Sequence, residues 1–567
     1  MQRLAPFPLV DKTRSTLALP DWTVPAWIAG IVVAGAALRA VWAFQVGLHP
    51  DEALYASWAL RIADGSDPAL LGVYVDKPPF LIYLLAGIAW LMGNTPASVN
   101  HLQQIVVAGR LAAAVASLVS LALLYSIARQ IYGQRVAMLA VAMLAASPLA
   151  ARLSPSLLTD PWLLLFMLLG LWAALGKRPW LTGLACGLAF ATKQQALLIL
   201  PLVVAAFLLV QTEITAPGAT SRSLRLRKSP SQPREGIAAV AGRSWLEFGD
   251  FRSPFKQRSG DLWRLLGGFA LIATLVLWWD SQRWQWMPSY WERSATTYGG
   301  LAVVTGPQLA RHLAEWMQVL TTVLGLPLLL LTAILCGGRL IVAIRERGSG
   351  AVPTAGANRV QRFDALLGLF MAAYLAVHLA TSLAPWDRYA LPVAPVLALL
   401  LARIVLWWTD RLALQGRRSA VVALAAIVAV GALWAIATAA SPRFPVADNS
   451  TYDGVPAIAE HIRDSEPATA VVYHRWFGWH YGYYLYGTDL DRRWWQSPAD
   501  LARQAADQLD RRQLVALPSA EDRQAVEAAL KQNGLALAPV LTATHRDGSP
   551  SAVLFSIESS AGAVAGG

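Results

Sequence analysis

Charge is what this chain lacks most. Only 14% of its 567 residues are Asp, Glu, Lys or Arg, against roughly 25% in soluble domains. With 56% hydrophobic residues and a mean hydropathy of +0.44, a chain this long has too little polar surface to enclose itself in water. Cysteine is almost absent. Cys186 and Cys336 both fall in or at the end of apolar segments. That excludes a disulfide framework or a CxxC metal site and leaves two free thiols packed among helices. The polar N-terminal stretch ends in no small-residue cleavage site, so no removable signal peptide is expected. Repeats of the solenoid kind are missing too.

What is present comes in apolar blocks, each close to the ~20 residues a spanning helix needs. They are rich in Ala, Leu, Val and Ile, with Trp near their ends, where aromatic side chains anchor spans at the interface. About eleven spans are expected, at 22–44, 105–128, 136–149, 161–175, 180–191, 196–210, 265–279, 319–336, 365–383, 391–407 and 420–439. The net charge of +12 lies in the loops between them. It reads as topology rather than as a nucleic-acid surface, and no nucleic-acid partner is expected.

Alternate loops are basic, including Arg129 and Arg135, then Lys177 and Arg178, then the long loop 211–264, then Arg411, Arg417 and Arg418. This set is cytoplasmic by the positive-inside rule. The other set, beginning with a first outer loop at 45–104, faces the periplasm of a bacterial inner membrane or a lumen. Within 211–264, the basic run Ser221–Lys228 reads as a solvated linker ahead of an anionic-lipid patch.

The chain divides into a membrane domain at 1–440 and an outward domain at 441–567, where short apolar runs alternate with charged helical segments. Strands are expected at Ala470–Tyr473, Gln513–Leu517, Leu535–Thr542 and Ser551–Ile557, and helices at Pro498–Arg511 and Ala520–Gln532. The fold class is therefore mainly α, a polytopic transmembrane helical bundle with a small C-terminal α/β domain.

The first outer loop holds the densest chemistry. It opens His49-Pro50-Asp51-Glu52-Ala53-Leu54-Tyr55 and continues to Asp76-Lys77-Pro78-Pro79. Two adjacent carboxylates at the end of a membrane helix are costly unless solvated, paired or used. Neighbours on a helix point about 100° apart, so Asp51 and Glu52 serve different contacts. Thr159-Asp160, Thr192-Lys193 and Asp387-Arg388-Tyr389 fall at outer span ends. Each alone reads as a cap or an interface anchor. Together they place acids and bases on one side of the membrane at one depth, which suits an anionic lipid head group and a base that activates a nucleophile.

Asp51-Glu52-x-x-Tyr55, Lys77-Pro78-Pro79, Leu158-Thr159-Asp160 and Ala191-Thr192-Lys193 together resemble the C-type glycosyltransferase superfamily. The likeness is to the branch holding protein O-mannosyltransferases and lipid A aminoarabinose transferases. It covers residues 24–200 and, loosely, the Arg388-Tyr389 region. The resemblance implies an inverting transfer of sugar from a polyprenyl-phosphate donor to a lipid, glycan or protein acceptor, among membrane lipids. The family's catalytic carboxylate falls on Asp51, with Glu52 beside it and Asp160 orienting a helix or the acceptor. Lys77, Arg388 and Lys193 are the expected donor-phosphate ligands, and His49, Tyr55 and Tyr389 line the substrate.

Leu54 stands where aminoarabinose transferases carry an Arg, and no β-trefoil insertion of the eukaryotic mannosyltransferase kind interrupts the spans. The acceptor stays open. Asp76 offers one oxygen ligand, but one acid without a spaced His makes no metal site, so neither metal nor other cofactor is expected.

The aromatic run from Trp278 to Trp291 reads as an interfacial belt ahead of a sugar-stacking surface. Tyr473–Tyr481 is expected to open the outward domain's first helix, and His474 and His480 do not have the spacing of a helical metal pair. Two other readings compete. A secondary transporter calls for related halves or broken helices near the midplane, and the sequence shows neither. A membrane scaffold with an outward binding domain leaves Asp51, Lys77 and Asp160 without a purpose.

Overall fold

A computed structural model of the chain describes residues 26–45, 47–93, 98–212, 253–297, 302–346, 355–441, 452–545 and 547–560. The basic run Ser221–Lys228 and most of the 211–264 loop lie outside the described residues.

The membrane part is a succession of helices. It begins with α1 (Ala26–Gln45), α2 (Pro50–Ala63), α3 (Phe80–Leu91), α4 (Val99–Tyr132), α5 (Gln134–Ala146) and α6 (Pro148–Leu153). It continues with α7 (Asp160–Leu175), α8 (Pro179–Thr192), α9 (Ala196–Thr212), α10 (Ser253–Ser281) and α11 (Tyr290–Thr297). Then come α12 (Pro307–Leu324), α13 (Leu326–Glu346), α14 (Ala355–Ala380), a 3-10 turn at Asp387–Val393, α15 (Ala394–Leu414) and α16 (Arg418–Ala440).

Among the described residues, six helices are long and apolar enough to cross a membrane, and α12 with α13 makes a seventh if that bent pair is one span. The remaining expected spans, at 136–149, 161–175, 180–191 and 196–210, fall on the shorter apolar helices α5, α7, α8 and α9. α3 is a further short apolar helix, between α2 and α4.

Local chemistry explains several boundaries. Gly133, at φ 89°, ends α4 and lets the chain reverse into α5. Proline sits in the first turn of α2, α6, α7 and α8, where its missing N–H costs nothing. α8 and α10 pack backbone to backbone: a Cβ on Gly183 would overlap the Leu265 carbonyl, and one on Gly187 would come within 2.7 Å of Ile272. Small residues four apart permit that approach in membranes, where no hydrophobic force drives helices together.

One expected span is not straight. The block 319–336 straddles Gly325, at φ 81°, and the two flanking helices meet there at 99°. α12 presents Leu309, Leu313 and Met317, each about half exposed, along one side, the pattern of a helix lying in the interface plane. The hydropathy run hid the break because residues on both sides are apolar. A broken helix, absent from the sequence reading, is therefore present.

The C-terminal part contains α17 (Val455–Ser465), β1 (Val471–His474), α18 (Gly478–Tyr484), β2 (Asp491–Trp494), α19 (Pro498–Ala506), β3 (Gln513–Pro518), α20 (Arg523–Gln532), β4 (Leu535–Thr544) and β5 (Pro550–Ser559). The strands form one sheet in the order β2-β1-β3-β5-β4. β1 is parallel to β2 and β3, while β5 is antiparallel to β3 and β4. Tyr473, Val515 and Phe555 pack on one face with α19 and α20, and Val472, Leu514 and Leu554 join the large cluster shared with the membrane helices.

The four apolar strands fall where the pattern placed them, to within a few residues. β2 does not show in the pattern, because its sequence Asp-Arg-Arg-Trp is an edge strand with no apolar alternation. Tyr473 and His474 belong to β1, and the helix expected there begins only at Gly478.

Candidate active site

The site begins at the first turn of α2. His49 is its N-cap, and the His49 Nδ1 accepts the Asp51 N–H at 3.1 Å. Pro50, fixed in φ, sets the turn. The two carboxylates then diverge as helical geometry requires.

Glu52 points inward and is fully buried. Its oxygens accept from the His49 N–H at 2.9 Å, the Leu157 N–H at 2.7 Å, and Arg110 at 2.6 and 3.3 Å. Burial pushes this carboxyl up, but Arg110 and the backbone donors overcome it and hold it below the usual carboxylate range.

Asp51 turns the other way, with its Oδ2 2.5 Å from the Arg388 Nη1. Burial again pushes the acid up, and Arg388 outweighs it, so the carboxyl is held below its ordinary value. Arg388 in turn lies over the Trp386 ring, 4.4 Å from its centre.

Two further pairs stand nearby. The Lys77 Nζ is 2.6 Å from Asp76, and the Lys193 Nζ is 2.6 Å from Asp160. Lys193 also sits 4.5 Å from the Tyr389 ring centre. Burial, only partly offset by Asp160, pulls the Lys193 ammonium down to about 8. Lys77, Lys193 and Arg388, from three separate segments, all line one cavity of about 450 Å³. Its other wall is largely apolar and includes Leu198, Trp291, Val377 and Leu383.

Of the expected site residues, Tyr55, Lys77, Asp160, Lys193, Arg388 and Tyr389 line this cavity. Asp51 reaches it through Arg388, and His49 acts on Asp51 through the backbone. Glu52 stands behind the wall, where its bonds tie α2 to α4 and to the segment before α7. Among the described residues, no group of three or more His, Cys, Asp or Glu is placed to hold a metal. In the aromatic run, Trp291 lines the cavity while Trp284 and Trp286 are exposed.

Sequence reasoning passed over several partners. Arg110, buried in the middle of an apolar helix, carried a readable signal, since intramembrane charge is a functional flag. Gln195 and His378 line the cavity, and the Gln195 amide donates to the Tyr374 hydroxyl and, at 3.3 Å, to the Tyr389 carbonyl. Gln195 lies two residues past the Ala191-Thr192-Lys193 motif, and His378 lies near none.

Comparison with known proteins follows the same lines. No curated protein sequence matches this chain. Residues 76–219 match the family model of dolichyl-phosphate-mannose-protein mannosyltransferases. That segment holds Lys77, Asp160 and Lys193 but neither Asp51 nor Arg388. ArnT from Cupriavidus metallidurans, bound to undecaprenyl phosphate, superposes with a TM-score of 0.55 at 14% identity, covering 94% of this chain and 98% of that one. The chain has the fold of this ArnT.

The apo form of the same ArnT gives a TM-score of 0.53 at 15% identity over the same shares, 94% and 98%. An Archaeoglobus fulgidus oligosaccharyltransferase with an inhibitory peptide and a dolichol-phosphate aligns more loosely, with a TM-score of 0.48 and 14% identity over 87% of this chain and 69% of that one. The fold shared with ArnT runs over 94% of this chain and so takes in both the helical membrane bundle and the small sheet domain.

Proposed function

We propose that this protein transfers a sugar from a polyprenyl-phosphate donor to an acceptor hydroxyl at the outer face of the membrane. The observation that carries the reading is the convergence of Lys77, Lys193 and Arg388 on one cavity, with Asp51 joined to it through Arg388. The family match over 76–219 and the fold shared with an ArnT that holds undecaprenyl phosphate support a lipid phosphate as the anion.

The donor phosphate sits among the three cations, and the apolar wall takes the first isoprene units. The acceptor oxygen attacks the anomeric carbon on the face opposite the phosphate. Asp51 takes the hydroxyl proton as that bond forms, and the bond from the anomeric carbon to the phosphate oxygen breaks with its electron pair. The lipid phosphate leaves already anionic, so positive charge around its oxygens replaces a general acid.

Asp51 cannot accept a proton freely while Arg388 holds it at 2.5 Å. The phosphate draws Arg388 off Asp51, so donor binding uncovers the base. Glu52, closed off by Arg110, holds the backbone, and Asp160 holds Lys193.

Among the described residues, the bend at Gly325 is the one feature that favours a transporter, and neither α12 nor α13 lines the cavity. The deciding experiment is transfer of radiolabelled sugar from a panel of polyprenyl-phosphate donors in membranes, parent against Asp51→Asn. Label transferred by the parent and lost with the mutant at equal expression supports the reading. No transfer from any donor removes it.

A further inference from the structure

We infer that His480, in the C-terminal domain, is a positioning residue for Asp51. The inference rests on the reading of Asp51 as the catalytic base. It is carried by a hydrogen bond between the two parts of the chain: the His480 Nε2 lies 2.7 Å from the Leu48 carbonyl oxygen. A carbonyl only accepts, so Nε2 carries the proton and the ring donates.

The three residues that lead into α2 are held by three different groups. The Gly47 carbonyl accepts from Arg110 at 3.0 Å. The Leu48 carbonyl accepts from His480. The His49 N–H donates to Glu52 at 2.9 Å. His49 in turn caps the helix, accepting the Asp51 N–H on its ring and the Ala53 N–H on its carbonyl. Movement of Leu48 therefore passes to the backbone of Asp51 within three residues.

His480 is itself fixed. It is fully buried, and its ring stacks on Tyr452 at 4.5 Å between centres and 22° between planes. α18, which carries it, is tied to the membrane part at further points. The Tyr483 hydroxyl donates to the Leu102 carbonyl at 2.7 Å, and just past the helix the Tyr486 hydroxyl donates to Asp64, the C-cap of α2, at 2.5 Å. The C-terminal domain thus grips α2 before its first turn and at its last. It forms part of the catalytic geometry, and placement of a base to within a fraction of an ångström depends on such support.

The test compares His480→Phe, which keeps an aromatic ring on Tyr452 and removes the donor, with His480→Gln, which returns an amide N–H. Full-length protein in lipid nanodiscs is used, with whichever undecaprenyl-phosphate sugar the parent turns over. The Phe variant is expected to lose on the order of 10- to 100-fold in kcat with donor KM unchanged, because Lys77, Lys193 and Arg388 are untouched. The Gln variant recovers most of the loss.

Hydrogen exchange at the amides of Asp51 and Ala53 quickens in the Phe variant, while exchange in α5 stays as in the parent. Parent-like kcat in the Phe variant, or a loss that spreads to α5 and that Gln does not recover, overturns the inference. A parent inactive with every donor, or full activity in Asp51→Asn, overturns the reading beneath it, and the exchange data separate that failure from failure of the clamp itself.

Discussion

Asp51→Asn is expected to do two things of opposite sign. Loss of a general base lowers kcat by about 10²- to 10⁴-fold. The same change is expected to tighten binding of the donor phosphate. Arg388 is engaged with Asp51 at 2.5 Å, the two side chains being 11% and 27% exposed. Such a pair falls between a surface ion pair, at about 0–1 kcal/mol, and a buried one whose breaking costs about 3–5 kcal/mol. We take about 1–2 kcal/mol for withdrawing Arg388. Asn removes the charge and with it most of that cost, so undecaprenyl phosphate binds about 5- to 30-fold more tightly. Titration of undecaprenyl phosphate into purified protein in nanodiscs, read by tryptophan fluorescence, gives the affinity, and radiolabel transfer gives kcat. An affinity that stays level or weakens in Asp51→Asn would refute the exchange of Arg388 between carboxylate and phosphate, even if kcat fell as expected.

Other perturbations separate the roles of neighbouring residues. Lys193 is charged below about pH 8 and loses its proton as pH rises through that value, so donor KM is expected to rise above pH 8 in the parent and to lose that break in Lys193→Arg, read from KM profiles between pH 6 and about 9.5. Glu52→Gln leaves Arg110 buried without its counter-charge and is expected to destabilise the fold by about 3–5 kcal/mol, seen as a lower melting temperature in detergent; a parent-like melt with a collapsed kcat would instead make Glu52 the proton acceptor. Gly183→Ala places a Cβ against the Leu265 carbonyl and is expected to force α8 and α10 apart at a cost of about 1–3 kcal/mol, and an unchanged melting temperature would refute that close approach.

Much of this was written in the sequence. Scarce charge and apolar blocks of spanning length determined a membrane bundle, because nothing else shelters so much apolar surface. Alternation of apolar runs with charged helices determined the small sheet domain. Residue types in the loop 45–104 and at the ends of later spans marked Lys77, Asp160, Lys193 and Arg388, since charge at that depth is rarely idle. Tertiary structure alone decided how these groups pair. Asp51 and Arg388 are 337 positions apart, and no local pattern announces that they meet. It also decided which of two adjacent acids meets Arg388 and which is sealed behind Arg110, a difference of one residue in sequence and about 100° around a helix. The bend at Gly325 escaped hydropathy because both arms are apolar, and β2 escaped because an edge strand needs no apolar alternation. The hold of His480 on Leu48 spans 432 positions; a buried histidine and a backbone carbonyl have no signature until the fold brings them together.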